Sequence, residues 1–144
     1  MAWWKWIDLP PVWLAAHVAI AYAVPRGLQQ MPWVGATLML VALALMGSAL
    51  LEMRRARTTP IPHMQPDALV TTGVFGFSRN PIYLGDVVFL AGASLYLGSL
   101  VGVILIAALI WILQRRFILP EESRLRAKFG PNFETYATKT RRWL

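Results

Sequence analysis

Ser78-Arg79-Asn80-Pro81-Ile82-Tyr83-Leu84-Gly85 opens a long apolar region, and Pro120-Glu121-Glu122 closes it. Between them lie two hydrophobic stretches joined by Gly98-Ser99, a spacing that suits a helical hairpin. Such a hairpin returns Glu121 and Glu122 to the membrane face where Arg79, Asn80 and Tyr83 begin. Ionisable groups gathered at a membrane boundary read as a site before they read as structure.

Working outward, 57% of the chain is hydrophobic and only 15% charged, which places it in the membrane class. Candidate spans are Val12–Val24, extended backward through the Trp-rich start, then Trp33–Met53, Ile82–Leu97 and Leu100–Leu119. Trp33–Met53 crosses alone, at roughly 1.5 Å per residue against about 30 Å of hydrocarbon. Open backbone cannot face lipid, so each span is expected to be helical. The fold class is therefore an all-α integral membrane protein. About four transmembrane helices are joined by a cytoplasmic connector and followed by short C-terminal cytoplasmic helices.

With the N-terminus inside, Lys5, Arg54, Arg55, Arg57, Arg79, Arg115, Arg116 and the basic tail fall on the cytoplasmic side, and only Arg26 falls outside. The positive-inside rule thus gives an N-in, C-in orientation. The formal charge of +7 reflects this topology and contact with anionic lipid, not nucleic acid, since no soluble basic face is present. Trp3, Trp4, Trp6 and Trp13 read as interfacial anchors. Ala21-Tyr22-Ala23, with Lys5 upstream, resembles a signal-peptidase site; the reading taken is a retained first helix. Without cysteine there is no disulfide, thiolate metal site or cysteine nucleophile. His17 and His63 are too few and too separated for zinc, so no metal site is expected.

Residues 1–53 form an N-terminal helix pair, with an outer loop containing Pro25, Gly27 and Pro32. Gly35, Ala36, Gly47, Ser48 and Ala49 allow close packing of the second span. Residues 54–144 hold the connector, the hairpin and the C-terminal helices, integrated with the first part as one domain. Pro60, Pro62 and Pro66 argue against a continuous helix in the connector. Leu69, Val70, Val74, Phe75 and Phe77 predict that it is ordered and folds against the hairpin. After Pro120 an amphipathic helix runs to Gly130-Pro131, and a second covers Asn132–Lys139 with Asn132 as its cap. Tyr136 and Trp143 are expected to anchor the tail at the interface.

Pro81 suits the first turn of a helix, which places Asn80 at the cap and leaves free N–H groups as an anion receptor. Arg79 can grip a carboxylate, Tyr83 can donate a hydrogen bond, and Glu121 and Glu122 can hold an ammonium group. Together they suit a zwitterion. An interfacial Arg79–Glu122 salt bridge locking the hairpin is the alternative, and residue types alone leave both open.

Leu69-Val70-Thr71-Thr72-Gly73-Val74-Phe75, the block Ser78 to Gly85, and Glu121-Glu122 followed by Leu125, Phe129-Gly130 and Tyr136 occur in order. These blocks resemble the isoprenylcysteine carboxyl methyltransferase family, whose C-terminal half phospholipid methyltransferases share. The resemblance covers roughly residues 58–142. It implies an integral membrane methyltransferase using S-adenosylmethionine, with S-adenosylhomocysteine as product and a cofactor site on the cytoplasmic side. It also implies a lipophilic small-molecule or lipid acceptor: an isoprenylcysteine-like carboxylate, a thiol or an amine. By family pattern Asp67, Ala68, Leu69, Val70 and Phe75 line the nucleoside side. Asn80, Pro81, Ile82 and Tyr83 contact the cofactor, and Glu121 reaches its amino group. Arg79 and Glu122 are assigned as catalytic.

The eukaryotic enzymes carry His at the position of Asn80 and Tyr at that of Phe75; Asn there is similar to bacterial members, which points to a bacterial inner membrane. Their substrate-contacting arginine falls in register with Phe117, beside Arg116. Arg116 and Asp86 are therefore the acceptor-side candidates. Asp86 otherwise pairs with Arg79 or Arg116. His63 closes over the cofactor or is an exposed loop residue, Glu52 is expected to pair with Arg55, and His17 to pack. Two other readings are a nicotinamide-dependent membrane reductase of similar architecture and a non-enzymatic four-helix transporter or accessory protein.

Overall fold

The computed structural model describes residues 2–24 and 26–144, and those residues are helical with no strand among them. Pro25, assigned above to the outer loop, lies outside the described residues. The first span is not one helix. α1 (Trp3–Ile7) and α2 (Pro10–Ala23) are separated at Asp8-Leu9, where Pro10 begins the second helix. A proline accepts a helix start but cannot continue a helix from four residues before, so the Trp-rich segment becomes a separate turn.

α3 (Pro32–Arg55) also starts on proline and runs 24 residues, about 36 Å. Gly35, Ala42 and Ala49 recur every seven residues on its buried face. That face meets α4 (Pro81–Leu97) almost backbone to backbone: a Cβ on Gly35 would lie 2.5 Å from the Gly92 carbonyl oxygen. A Cβ on Gly85 would lie 2.4 Å from Met46 Cγ. Of the small residues expected to pack, Gly35 and Ala49 do, whereas Gly47 faces open space and Ser48 is exposed. The seam follows the seven-residue stripe, because residues seven apart share one side of a helix.

Gly98 adopts a left-handed backbone (φ 68°) and ends α4. Ser99 then caps α5 (Leu100–Leu113), its Oγ accepting the Gly102 N–H at 3.0 Å. The hairpin expected between the two apolar runs therefore forms at its predicted turn. Its return arm does not stop at Pro120. A π turn over Gln114–Ile118 leads directly into α6 (Leu119–Phe129), the Leu119 N–H reaching back five residues to the Gln114 carbonyl. The widened turn makes room for Pro120, which has no N–H to give. It also turns Phe117 and Ile118 together into the core.

α7 (Pro131–Lys139) begins after Gly130, so Asn132 lies inside the helix and does not cap it. Tyr136 is not an interfacial anchor. It is buried with Ala49, Val70, Phe75 and Phe133, and its hydroxyl donates to the Phe75 carbonyl at 2.6 Å. Trp143 also packs on the core and donates to Gln114 Oε1 at 3.0 Å. The connector, carrying a 3₁₀ turn at Gly73–Gly76, is ordered as expected, but it packs mainly on α3 and α7 rather than on the hairpin, and Phe77 stands exposed.

α3 and the continuous helix Leu100–Phe129 are long and apolar enough to cross a membrane; α2 and α4 are shorter apolar helices. Trp33, Leu40, Ile104 and Trp111 stand mostly exposed on them, a surface that suits lipid.

Candidate functional site

The start of α4, the start of α6, the connector and the chain's last residues converge. Arg79 lies just before α4. Its Nη2 donates to Glu122 Oε1 at 3.1 Å, and its Nη1 donates to the Ala137 and Thr140 carbonyls, each at 3.0 Å. These carbonyls end α7, where a cation is favoured. Glu122 also accepts two bonds from Arg142, at 3.0 and 2.9 Å, and is buried. Its carboxylate raises the Arg142 guanidinium above its ordinary value. The salt bridge weighed above as an alternative is thus present, and it is a triad.

α4 starts at Pro81 with Asn80 at its cap, as expected, and no side chain caps the helix. The Asn80 side chain turns away and donates to the Arg142 carbonyl at 2.9 Å. The Arg79 N–H donates to the Arg141 carbonyl at 2.9 Å. The tail lies along this segment and takes the Arg79 N–H and the Asn80 side-chain donor.

Glu121 is placed differently. Its Oε2 accepts from the Tyr83 hydroxyl at 2.9 Å, and its side chain lines two cavities. The first, about 40 Å³, has mixed polar and apolar walls and sits under the connector, bounded by Thr58, Ala68, Leu69, Val70, Phe75 and Arg124. Arg79 and Glu121 also line it, and Nε of Arg79 and of Arg124 are buried without a hydrogen-bond partner. The second, about 300 Å³, is largely apolar, with Trp6, Leu9, Pro10, Met46 and Leu50 on one side. Asn80, Pro81, Ile82, Tyr83 and Asp86 form the other, and Arg79, Glu121 and Phe75 are common to both spaces.

Three sequence candidates stand apart. Asp67 is exposed, and its N–H donates to Thr58 Oγ1 at 3.0 Å. His63 has a left-handed backbone (φ 67°) and is no exposed loop residue: Nε2 sits 2.9 Å from the Asp8 carbonyl oxygen, and its ring lies 5.6 Å from that of Phe117. Arg116 is held by the same aspartate, with Nε donating to Asp8 Oδ1 at 2.9 Å. Trp13 Nε1 donates to that oxygen at 3.0 Å. Burial raises the Asp8 carboxyl, but the hydrogen bonds from Arg116 and Trp13 and the charges of Arg116 and His63 outweigh it and hold it below its ordinary 3.8. Asp86 pairs with neither Arg79 nor Arg116; its Oδ2 has no partner. Glu52 does pair with Arg55, at 3.1 Å, and His17 packs with Nδ1 2.7 Å from the Trp13 carbonyl oxygen.

Sequence reasoning missed Thr58, Arg124, Arg142 and Asp8. Arg124 stands three residues after Glu121, helical spacing that puts both on one face. Asp8 is the single acidic residue before Glu52, an isolation that could have marked it.

The phospholipid methyltransferase family matches residues 31–132, from the start of α3 into α7. The chain belongs to that family. It is also 32% identical over 71 residues to a protein-S-isoprenylcysteine O-methyltransferase of Schizosaccharomyces pombe, covering 49% of this chain and 30% of that protein. The chain thus spans about a third of the length of this relative. No solved structure matches. The family match takes in both cavities' α3, α4 and α6 walls, but not α1, α2 or the Arg142 tail.

Proposed function

We propose that this chain is an integral membrane methyltransferase that takes its methyl group from S-adenosylmethionine and passes it to a lipophilic acceptor. The observation that carries the reading is the pair of adjoining cavities, one of mixed lining with charged side chains and one largely apolar, with Arg79 and Glu121 common to their walls. A two-substrate transfer between a charged nucleoside and a membrane-borne acceptor needs that juxtaposition.

The residues present fit the cofactor. Two buried guanidinium Nε–H groups without partners stand ready for a carboxylate. Glu121 beside them is suited to an ammonium group, and Leu69, Val70 and Phe75 offer an apolar wall to an adenine ring. When bound, the cofactor supplies a methyl group activated by positive sulfur. The protein's part is alignment and exclusion of water, since direct displacement needs no covalent enzyme intermediate. Tyr83 fixes the Glu121 carboxylate by its hydrogen bond. Glu122 acts at one remove, by holding Arg79 and Arg142 in place. The first cavity is tight, so on this reading the connector segment from Thr58 to Leu69 moves outward for the cofactor to enter.

On this reading four helices cross the membrane, both ends of the chain lie in the cytoplasm, and the acceptor enters from the bilayer through the apolar cavity. The family match gives no support to the nicotinamide-dependent reductase or the four-helix transporter. Transfer of a labelled methyl group from S-adenosylmethionine into organic-extractable material tests the reading, with Glu121→Gln as control. Incorporation by the wild type that falls sharply in the variant supports it; no incorporation from any lipid or thiol, with no cofactor binding, removes it.

A further inference from the structure

Asp86 stands one turn inside α4, on the wall of the 300 Å³ cavity, and is only 2% exposed. Its Oδ2 meets no hydrogen-bond donor, and no arginine, lysine or histidine among the described residues forms an ion pair with it. A buried carboxyl group without a partner is costly, and a leucine at this place would carry no such cost. The residue is also held firmly. Gly85 beside it packs against Met46 and Ala42 of α3 too closely for any side chain.

The other polar groups on that wall are engaged or already assigned: the partnerless Nε–H of Arg79 is the group given above to the cofactor's carboxylate, and its Nη groups are taken. Arg79 is bound to Glu122 and two carbonyls, Asn80 to the Arg142 carbonyl, and Tyr83 to Glu121. The remaining lining is apolar, with Leu9, Met46 and Leu50 placed to cover a hydrocarbon chain. What the cavity offers is a greasy sleeve with the Asp86 carboxyl group on its wall, whose Oδ2 is a buried, unpartnered oxygen. A carboxylate head has nothing to donate to that oxygen and repels it when charged. A head that carries a hydrogen matches it.

We propose that Asp86 selects an acceptor whose nucleophilic atom still bears a hydrogen, a lipophilic amine or thiol in place of a carboxylate, and removes that proton. This rests on the methyltransferase reading above. For a thiol R–SH or an ammonium R–NH3+, written R–XH, one X–H bond breaks and its proton passes to the Asp86 carboxylate. The electron pair left on X forms the new C–X bond, while the donor's S–C bond breaks with its pair kept on sulfur, which leaves as a neutral thioether. Asp86 releases the proton when product departs. A carboxylate acceptor would need no such base.

The test compares wild type, Asp86→Asn and Asp86→Glu in lipid nanodiscs. Binding of dodecylamine, dodecanethiol and dodecanoate is measured without cofactor, and methyl transfer to the same three is measured with it. Expected is wild-type preference for the amine or the thiol over dodecanoate in both assays, and the larger turnover identifies which. In Asp86→Asn the binding preference disappears and kcat for that acceptor falls about 100-fold or more, with S-adenosylmethionine affinity unchanged. Asp86→Glu recovers part of kcat, which a packing role would not produce. Asp86→Asn turnover within about threefold of wild type, or a wild-type preference for dodecanoate, overturns the proposal. If Asp86→Asn does not fold, the wild-type binding preference decides alone. Cofactor binding that persists through an overturning result leaves the methyltransferase reading standing; its absence removes both.

Discussion

Glu122 is gripped by Arg79 and Arg142 at 4% exposure, and taking away its charge leaves two guanidinium groups facing each other. Breaking a buried pair costs about 3–5 kcal/mol, whereas an exposed pair contributes about 0–1. Thermal unfolding in detergent should therefore show a large loss for Glu122→Gln and almost none for Glu134→Gln, whose Arg126 pair is half exposed. Equal shifts would mean that the triad does not hold the tail. Asp8 gives a second prediction at this scale. Its carboxyl is held below 3.8 in the fold, so its contribution to stability is full above that value and is lost as pH falls through the lower, folded one. Asp8→Asn should be less stable than wild type at neutral pH, and the difference should vanish only below roughly pH 4. A difference already gone at mild acidity would contradict the clasp. Arg79, Tyr83 and Glu121 were legible in the sequence because a proline start and a hairpin fix where they sit. The partnership of Asp8 with Arg116 was not, since 108 positions separate them and only the packed fold joins them.

The helices that begin on proline or turn on Gly98-Ser99 were readable almost to the residue, because those signals act locally. The break at Asp8 and the π turn before Pro120 were not. In both places proline admits two solutions, a stop or a widened turn, and tertiary packing chooses. The stripe of Gly35, Ala42 and Ala49 was hidden for a similar reason: small residues cover several faces of α3, and only contact with α4 picks one. Gly35 and Gly47 separate these cases experimentally. A Cβ on Gly35 would strike the Gly92 backbone, so Gly35→Ala should destabilise by about 1–3 kcal/mol in detergent unfolding. Gly47 has nothing within 4 Å, and Gly47→Ala should be neutral or stabilise by up to about 1 kcal/mol. Similar costs at both positions would refute the close seam.

The chain as a whole is read as crossing the bilayer four times with both ends inside. Because it contains no cysteine, single-cysteine labelling reports each loop cleanly. Gln29→Cys should react with an impermeant maleimide in intact spheroplasts, and Ser123→Cys only after permeabilisation; the reverse pattern would invert the topology. Charge bias is what supports that orientation. The two adjoining cavities were beyond sequence, since the connector, α3, α4 and α6 all contribute walls and the apolar one adds the first turns of the chain. Glu121, one of the residues they share, is where the functional reading is most directly tested. Calorimetric titration of S-adenosylmethionine into the purified protein should give saturable one-to-one binding, weakened about tenfold or more in Glu121→Gln, as expected for loss of a charged contact worth about 1.5–3 kcal/mol. No binding to the wild type, or equal binding to both proteins, would contradict a cofactor receptor at this place.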